Sequence, residues 1–180
     1  MPQGPEAALI HWLNRPWGSF LDALMFAASA IGDWGIVWWA VIIALALLSG
    51  PEGRRLALWL TLAIVLSFAI DQAIKVFSFR PRPYMLFPDL IQMGHMWADS
   101  SLPSGHASSS MAATIVLLRH DRVAGLAAAI YMLLSAVSRP HFAMHWPTDV
   151  LVGFLTGTVA GLLTLLIRRW ATRRSRRQAS

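Results

Sequence analysis

His145 and Asp149 stand four residues apart, the spacing at which two side chains share one face of a helix and a carboxylate can hold an imidazole. Such a pairing fixes the tautomer of the ring and raises its basicity, as a nitrogen nucleophile requires. The same stretch carries Ser138, Arg139 and a second histidine, His141. A lone histidine in an apolar region is often a satisfied core residue, but one in the company of aspartate, arginine and another histidine is hard to explain structurally.

Two further segments offer the complementary chemistry. Pro103-Ser104-Gly105-His106 sits where a loop enters an apolar run, so Ser104 and the Gly105 amide fall at a helix N-terminus, whose unpaired N–H groups and partial positive charge suit a phosphate. Ser104 taken alone reads equally well as an ordinary N-cap. Upstream, Lys75 closes another apolar run and is followed by Arg80, Arg82 and prolines that stop the helix. Interfacial Lys and Arg beside proline commonly serve as snorkelling anchors, and Asp71, four residues before Lys75, is placed to pair with it. The three segments together, not any one of them, indicate a cationic cradle facing a nucleophile.

Lys75–x6–Arg82–Pro83, then Pro103–Ser104–Gly105–His106, then Ser138–Arg139–x5–His145–x3–Asp149 resembles the three-part signature of the type 2 phosphatidic acid phosphatase family, with no departure at a motif position. The resemblance covers Lys75 to Asp149; the first seventy residues agree only in being helical and apolar. It implies that His145 attacks phosphorus to form a phosphohistidine, that Asp149 orients His145, and that His106 protonates the leaving oxygen. It further implies that Lys75, Arg82 and Arg139, with Ser104 and the Gly105 amide, hold the phosphoryl oxygens, with no metal and no cofactor. Three cations and an amide nest can supply the positioning and charge neutralisation that phosphoryl transfer demands. Vanadium-dependent haloperoxidases and glucose-6-phosphatases share these motifs. A soluble peroxidase is disfavoured by the apolar chain, and a non-catalytic lipid-binding protein by the intact His145–Asp149 pair. Arg80 reads as a headgroup contact or surface charge, His141 as a supporting or loop residue, and Asp89 and Asp99 as isolated, solvated loop acids. His95 has no place in the signature.

The elements that must position these groups are legible as charge-free runs at residues 34–50, 56–70, 104–118, 123–138 and 150–167. None alternates polar with apolar, so helices rather than barrel strands are expected. The shortest spans about 22 Å as a helix and reaches the ~30 Å hydrocarbon core with an added turn. The expected fold is therefore an all-α, polytopic transmembrane helix bundle with five spans. Residues 23–32, between Asp22 and Asp33, form a sixth, shorter helix, and residues 1–17 suit an interfacial helix with Leu9, Trp12, Leu13 and Trp17. One membrane phosphatase domain over 1–180 results, and no cleaved signal peptide is expected.

Charge gives the orientation. Ten of the fifteen basic residues fall at 54–55, at 119 and 122, and within 168–177, all on one side if the five runs alternate, which makes that side cytoplasmic. Residues 168–180 then form a basic cytoplasmic tail that can contact anionic lipid. Lys75, Arg80, Arg82 and Arg139 lie on the extracytoplasmic side, where positive charge is disfavoured for topology and is held for chemistry. That side also carries the long connection at 80–103, of a length more often functional than idle. With 56% hydrophobic and 13% charged residues, the chain lies far from the roughly 25% charged of soluble domains. Its net charge of +6 is accounted for by this topology, so nucleic acid is not an expected partner. The absence of cysteine excludes disulfides and thiolate metal sites. The expected partner is a membrane lipid phosphate: undecaprenyl diphosphate, phosphatidylglycerol phosphate, phosphatidate and lipid A all fit.

Overall fold

Prolines and glycines set most of the helix boundaries. In the computed structural model, which describes residues 4–178, α1 (Pro5–Leu13) opens with Pro5 and Glu6, both favourable in a first turn where N–H groups lack partners. Next come α2 (Ser19–Ala30) and α3 (Ile36–Leu48), joined through a 3₁₀ turn at Asp33–Gly35. In that turn Trp34 (φ 57°) and Gly35 (φ 69°) both adopt left-handed backbone, which glycine accepts freely and tryptophan does not. The break bends the two helices by 59°. α4 (Gly50–Phe77) stops ahead of Pro81 and Pro83, and the single turn α5 (Pro83–Leu86) follows. α6 (Gly105–His120), α7 (Arg122–His141) and α8 (Pro147–Gln178) complete the chain. Asp121 alone separates α6 from α7, and its carboxylate caps α7 by accepting from the Ala124 amide at 2.7 Å.

Packing depends on small residues. Ala112, Ala113 and Val116 of α6 are wholly buried against Leu56, Leu60, Ala63 and Ile64 of α4, with Trp38 and Ile42 of α3 and Ala160 of α8 closing the cluster. Gly153, Gly157 and Gly161 recur every fourth residue on α8 and face α6. A Cβ at Gly153 would come within 2.6 Å of the Ser104 carbonyl, and one at Gly157 would run into the Ser108 carbonyl. Close helix approach through small residues is the means by which helices associate where lipid removes the hydrophobic drive. The outward faces are apolar instead: Leu126, Ile130 and Leu133 of α7 and Leu151, Leu155 and Leu162 of α8 are all exposed.

The bundle is all-helical among the described residues, but the five separate spans expected from the charge-free runs are not all present as such. Three helices are long and apolar enough to cross a bilayer, α4, α7 and α8, and a fourth is reached if the bent α2–α3 pair counts as one span. The run at 34–50 yields only the thirteen residues of α3, because the 3₁₀ turn delays its start. The run at 104–118 yields the sixteen-residue α6, or about 24 Å. The short stretch at 23–32 lies largely in the separate helix α2, which forms a bent pair with α3. α1 docks at one end of the bundle: Ala7 and Ile10 are buried against Phe87, Leu90, Ala143 and Trp146, while Trp12 faces outward.

Candidate active site

Four helix ends meet where the sequence motifs lie: the C-termini of α4 and α7 and the N-termini of α6 and α8. Arg54 and Arg55, Arg119 and Arg122, and Arg168 onward occupy the other ends of the same helices. Between the motif ends lies a cavity of about 470 Å³, lined by Lys75, Arg82, Gly105, His106, Arg139 and His145 at its polar end. Trp34, Trp39, Ile64, Val65 and Phe68, from the α2–α3 turn, α3 and α4, form its apolar wall. Ser104 and Asp149 are buried behind this lining. All eight expected site residues are thus brought to one place, six of them facing the cavity.

The tautomer of His145 follows from its partners. Nδ1 lies 2.7 Å from the Ser101 carbonyl, which can only accept, so Nδ1 carries the proton and Nε2 the lone pair. Nε2 lies 3.1 Å from Nη1 of Arg82, and Arg82 also donates to the Met144 carbonyl at 2.9 Å. Burial first, then the positive charges of Arg82 and Arg139, hold the His145 imidazole well below the usual histidine range, so the ring is neutral at physiological pH. Asp149 stands 3.7 Å from Nδ1, close enough for charge but not for a hydrogen bond. The expected direct Asp149–His145 hydrogen bond is therefore replaced by the Ser101 carbonyl. The Asp149 carboxylate accepts instead from the Trp146 amide at 2.8 Å and from Nη1 of Arg80 at 2.6 Å.

His106 is held from the opposite wall. Its Nε2 lies 3.0 Å from the Ser29 carbonyl and 3.4 Å from Oδ1 of Asp33. Arg139, almost wholly buried, donates to the Ser29 hydroxyl at 2.6 Å. Among the described residues Nε of Arg82, Nε of Arg139 and the Ser104 hydroxyl have no protein partner, which leaves polar capacity beside the cavity for an oxyanion. No three His, Asp or Glu side chains among the described residues are grouped to hold a metal ion. Lys75, Arg82 and Arg139 bring positive charge to the cavity.

A profile of the PAP2 superfamily matches residues 56–173. The chain belongs to the PAP2 superfamily. It is 30% identical over 155 residues to the undecaprenyl-diphosphatase BcrC of Bacillus subtilis, covering 86% of this chain and 78% of that one. It is 32% identical over 154 residues to a decaprenylphosphoryl-5-phosphoribose phosphatase of Mycolicibacterium smegmatis, covering 84% of this chain and 82% of that one. Its fold superposes on the crystal structure of Aquifex aeolicus LpxE with a TM-score of 0.76 at 25% identity, covering 88% of this chain and 93% of that one. This PAP2 protein is a lipid phosphate phosphatase.

Several groups around the PAP2 site escaped the sequence reading. Asp99 is not an isolated loop acid: although exposed, it bridges Nζ of Lys75 at 2.5 Å and Nη2 of Arg82 at 2.6 Å. Burial works to raise its carboxyl, but the hydrogen bonds and charges of Lys75 and Arg82 outweigh it and hold the group below the usual carboxylate range. Lys75 is consequently not paired with Asp71, which accepts from Thr156 of α8 at 2.8 Å. Arg80 is not a free surface charge, being bonded to Asp149, to Thr148 and to Glu6 of α1. His141 anchors the N-terminal segment through the Leu13 carbonyl at 2.9 Å and Asp22 at 3.2 Å, and Asp89 meets His11 at 3.5 Å. A buried Arg82 in need of a counter-ion, with Lys75 beside it, was a signal for Asp99. Ser101 acts through its backbone and had none.

Proposed function

We propose that the chain hydrolyses the terminal phosphate of a polyprenyl lipid, undecaprenyl diphosphate foremost, through a phosphohistidine on His145 and without a metal ion. The observation that carries this reading is the orientation of His145: Nδ1–H is tied to the Ser101 carbonyl and Nε2 lies beside Arg82 in a cavity that His106 also lines. The Nε2 lone pair attacks phosphorus while Lys75, Arg82 and Arg139, with Ser104 and the Gly105 amide, neutralise the equatorial oxygens. The P–O bond to the lipid breaks as His106 delivers a proton to the departing oxygen. His106, now neutral, takes a proton from the water that cleaves the P–N bond, and inorganic phosphate leaves. Asp149 balances the positive imidazole of the phosphohistidine across 3.7 Å.

The apolar wall of Trp34, Trp39, Ile64, Val65 and Phe68 suits the hydrocarbon next to the phosphate, and the two sequence relatives are both named for polyprenyl substrates. Phosphatidylglycerol phosphate, phosphatidate and lipid A are the alternative substrates. In the membrane, the bent α2–α3 pair, α4, α6, α7 and α8 make five crossings. The site is extracytoplasmic, α1 lies in the interface, and the tail at 168–180 is cytoplasmic.

Phosphate release by the purified protein in EDTA, measured against these four lipids, tests the reading. Release is expected from undecaprenyl diphosphate above the others. Release from none refutes catalysis, a strict magnesium requirement refutes the metal-free mechanism, and preference for a two-chain lipid refutes the polyprenyl assignment.

A further inference from the structure

The superfamily match begins at residue 56, yet two of the site's charged groups are seated by residues that precede it. Ser29, in the last turn of α2, presents its carbonyl to Nε2 of His106 and its hydroxyl to Nη1 of Arg139. Asp33, at the break between α2 and α3, places Oδ1 3.4 Å from that same Nε2 and 3.7 Å from that same Nη1. We propose that Asp33 is a positioning residue for the general acid, seating His106 with the Ser29 carbonyl so that Nε2 keeps its proton and Nδ1 delivers one to the leaving oxygen. The inference rests on the reading of His106 as that acid.

Three observations converge on it. First, the backbone is spent on this placement: a helix pair that could have run straight is broken by 59°, and Trp34 takes a left-handed conformation with φ 57°. Irregular backbone at membrane depth is tolerated where it lines a cavity, and strained residues persist where the surroundings over-determine them. Second, the fit is to the ring itself. A Cβ on Gly32 would collide with the Cδ2–Nε2 edge of His106 and with the Tyr131 hydroxyl, so the chain before Asp33 lies flush against that edge, leaving Nδ1 on the other. Third, a partly buried ionisable side chain at the break of an apolar helix pair is costly and is retained where it has a task. Oδ1 of Asp33 is buried and makes no hydrogen bond among the described residues, so its contacts to His106 and Arg139 are ionic.

The proton inventory is balanced. The step requires the imidazolium form of His106, in which Nε2–H is directed at the Ser29 carbonyl and Asp33 and Nδ1–H is free for the leaving oxygen. As the His145 Nε2–phosphorus bond forms and the P–O bond breaks, the P–O electron pair stays on the leaving oxygen and takes the Nδ1 proton. His106 ends neutral with its Nε2 proton in place, and Asp33 remains ionised throughout.

The test compares two esters on the purified full-length protein: a prenyl monophosphate, whose basic alkoxide needs protonation, and nitrophenyl phosphate, whose leaving group does not. Asp33→Asn is expected to lower kcat on the prenyl ester by about tenfold or more, part of the ~10²–10⁴ that a general acid contributes. On nitrophenyl phosphate kcat should stay within about threefold, and KM for both should stay within about twofold. Asp33→Glu, which keeps the charge, should recover part of the prenyl activity, and Asp33→Asn should add no further loss to His106→Ala. Equal losses on the two esters, a change confined to KM, or a multiplicative loss in the double variant would make Asp33 a counter-ion for Arg139 or a structural residue and overturn the proposal. Should Asp33→Asn fail to fold, an Asp33→Glu protein that shows no ester selectivity in its loss overturns it as well. If His106→Ala itself lacks ester selectivity, the reading of His106 is at fault, whereas selectivity in His106→Ala without selectivity in Asp33→Asn refutes this inference alone.

Discussion

Replacing Arg80 with alanine removes the cation that compensates Asp149, and the structure sets the size of the effect. Asp149 is fully buried, Arg80 has a side chain 29% exposed, and 2.6 Å separates Nη1 from Oδ1. Two unit charges about 3 Å apart attract by about 5 kcal/mol at an effective dielectric of about 20. Desolvation and the partial exposure of the guanidinium reduce the net to roughly 2–3 kcal/mol. Arg80 does not line the cavity, so this loss falls on the charge that supports His145 as it becomes positive, not on substrate binding. At ~1.4 kcal/mol per decade, kcat should fall about 30- to 150-fold with KM nearly unchanged. Glu6→Gln removes the charge of a partly exposed partner that lies 2.6 Å from Arg80 and also accepts from Thr148, and should cost less than about fivefold. The assay is steady-state hydrolysis of a prenyl phosphate in detergent. A raised KM with intact kcat in Arg80→Ala would mean that Arg80 grips the lipid headgroup and would refute the argument from Asp149.

The remaining predictions concern the histidines and the topology. Because burial and the charges of Arg82 and Arg139 depress His145, its neutral form persists as pH falls through the ordinary histidine value of about 6.5. The acid limb of kcat/KM should accordingly lie well below that value, and a limb at or above it refutes the neutral nucleophile. Acid quenching destroys a phosphohistidine and base preserves it, so an alkaline quench of His106→Ala turning over nitrophenyl phosphate should trap phosphate on His145. Finding the label on another residue, or finding it in His145→Ala, refutes the assignment. A cysteine placed at 91–96 should react with an impermeant thiol reagent in intact cells and one at 171 should not; the reverse pattern inverts the topology.

The signature residues were legible because helix ends are legible. Prolines 81, 83 and 147 and Gly105 fix where α4 stops and where α6 and α8 start, and Lys75, His106 and Asp149 lie within a turn of those points. What hid from the sequence were partners contributed by distant segments. Arg80 looks like any interfacial arginine until α8 brings Asp149, 69 positions away, against it. Asp99 looks isolated until its loop folds back over Lys75 and Arg82. Asp33 marked the edge of an apolar run, and charge-free runs do not reveal that a helix breaks in order to present its boundary residue inward. The same blindness touches the spans: the absence of charge gives length, while the left-handed turn at Trp34 and Gly35 decides how that length is divided between α2 and α3.

The sixteen residues of α6 have one further consequence. This helix carries His106 in its first turn and Arg119 in its last, about 20 Å apart along the axis, against a hydrocarbon layer of about 30 Å. In the proposed topology, with Arg119 at one water boundary, the His106 imidazole falls several ångströms short of the other, beneath the headgroup plane. Either the bilayer thins around the protein or the lipid phosphate is drawn down to meet it. On that topology bilayer thickness is expected to govern turnover, so that the acyl-chain length of the host membrane acts on the protein without touching its site.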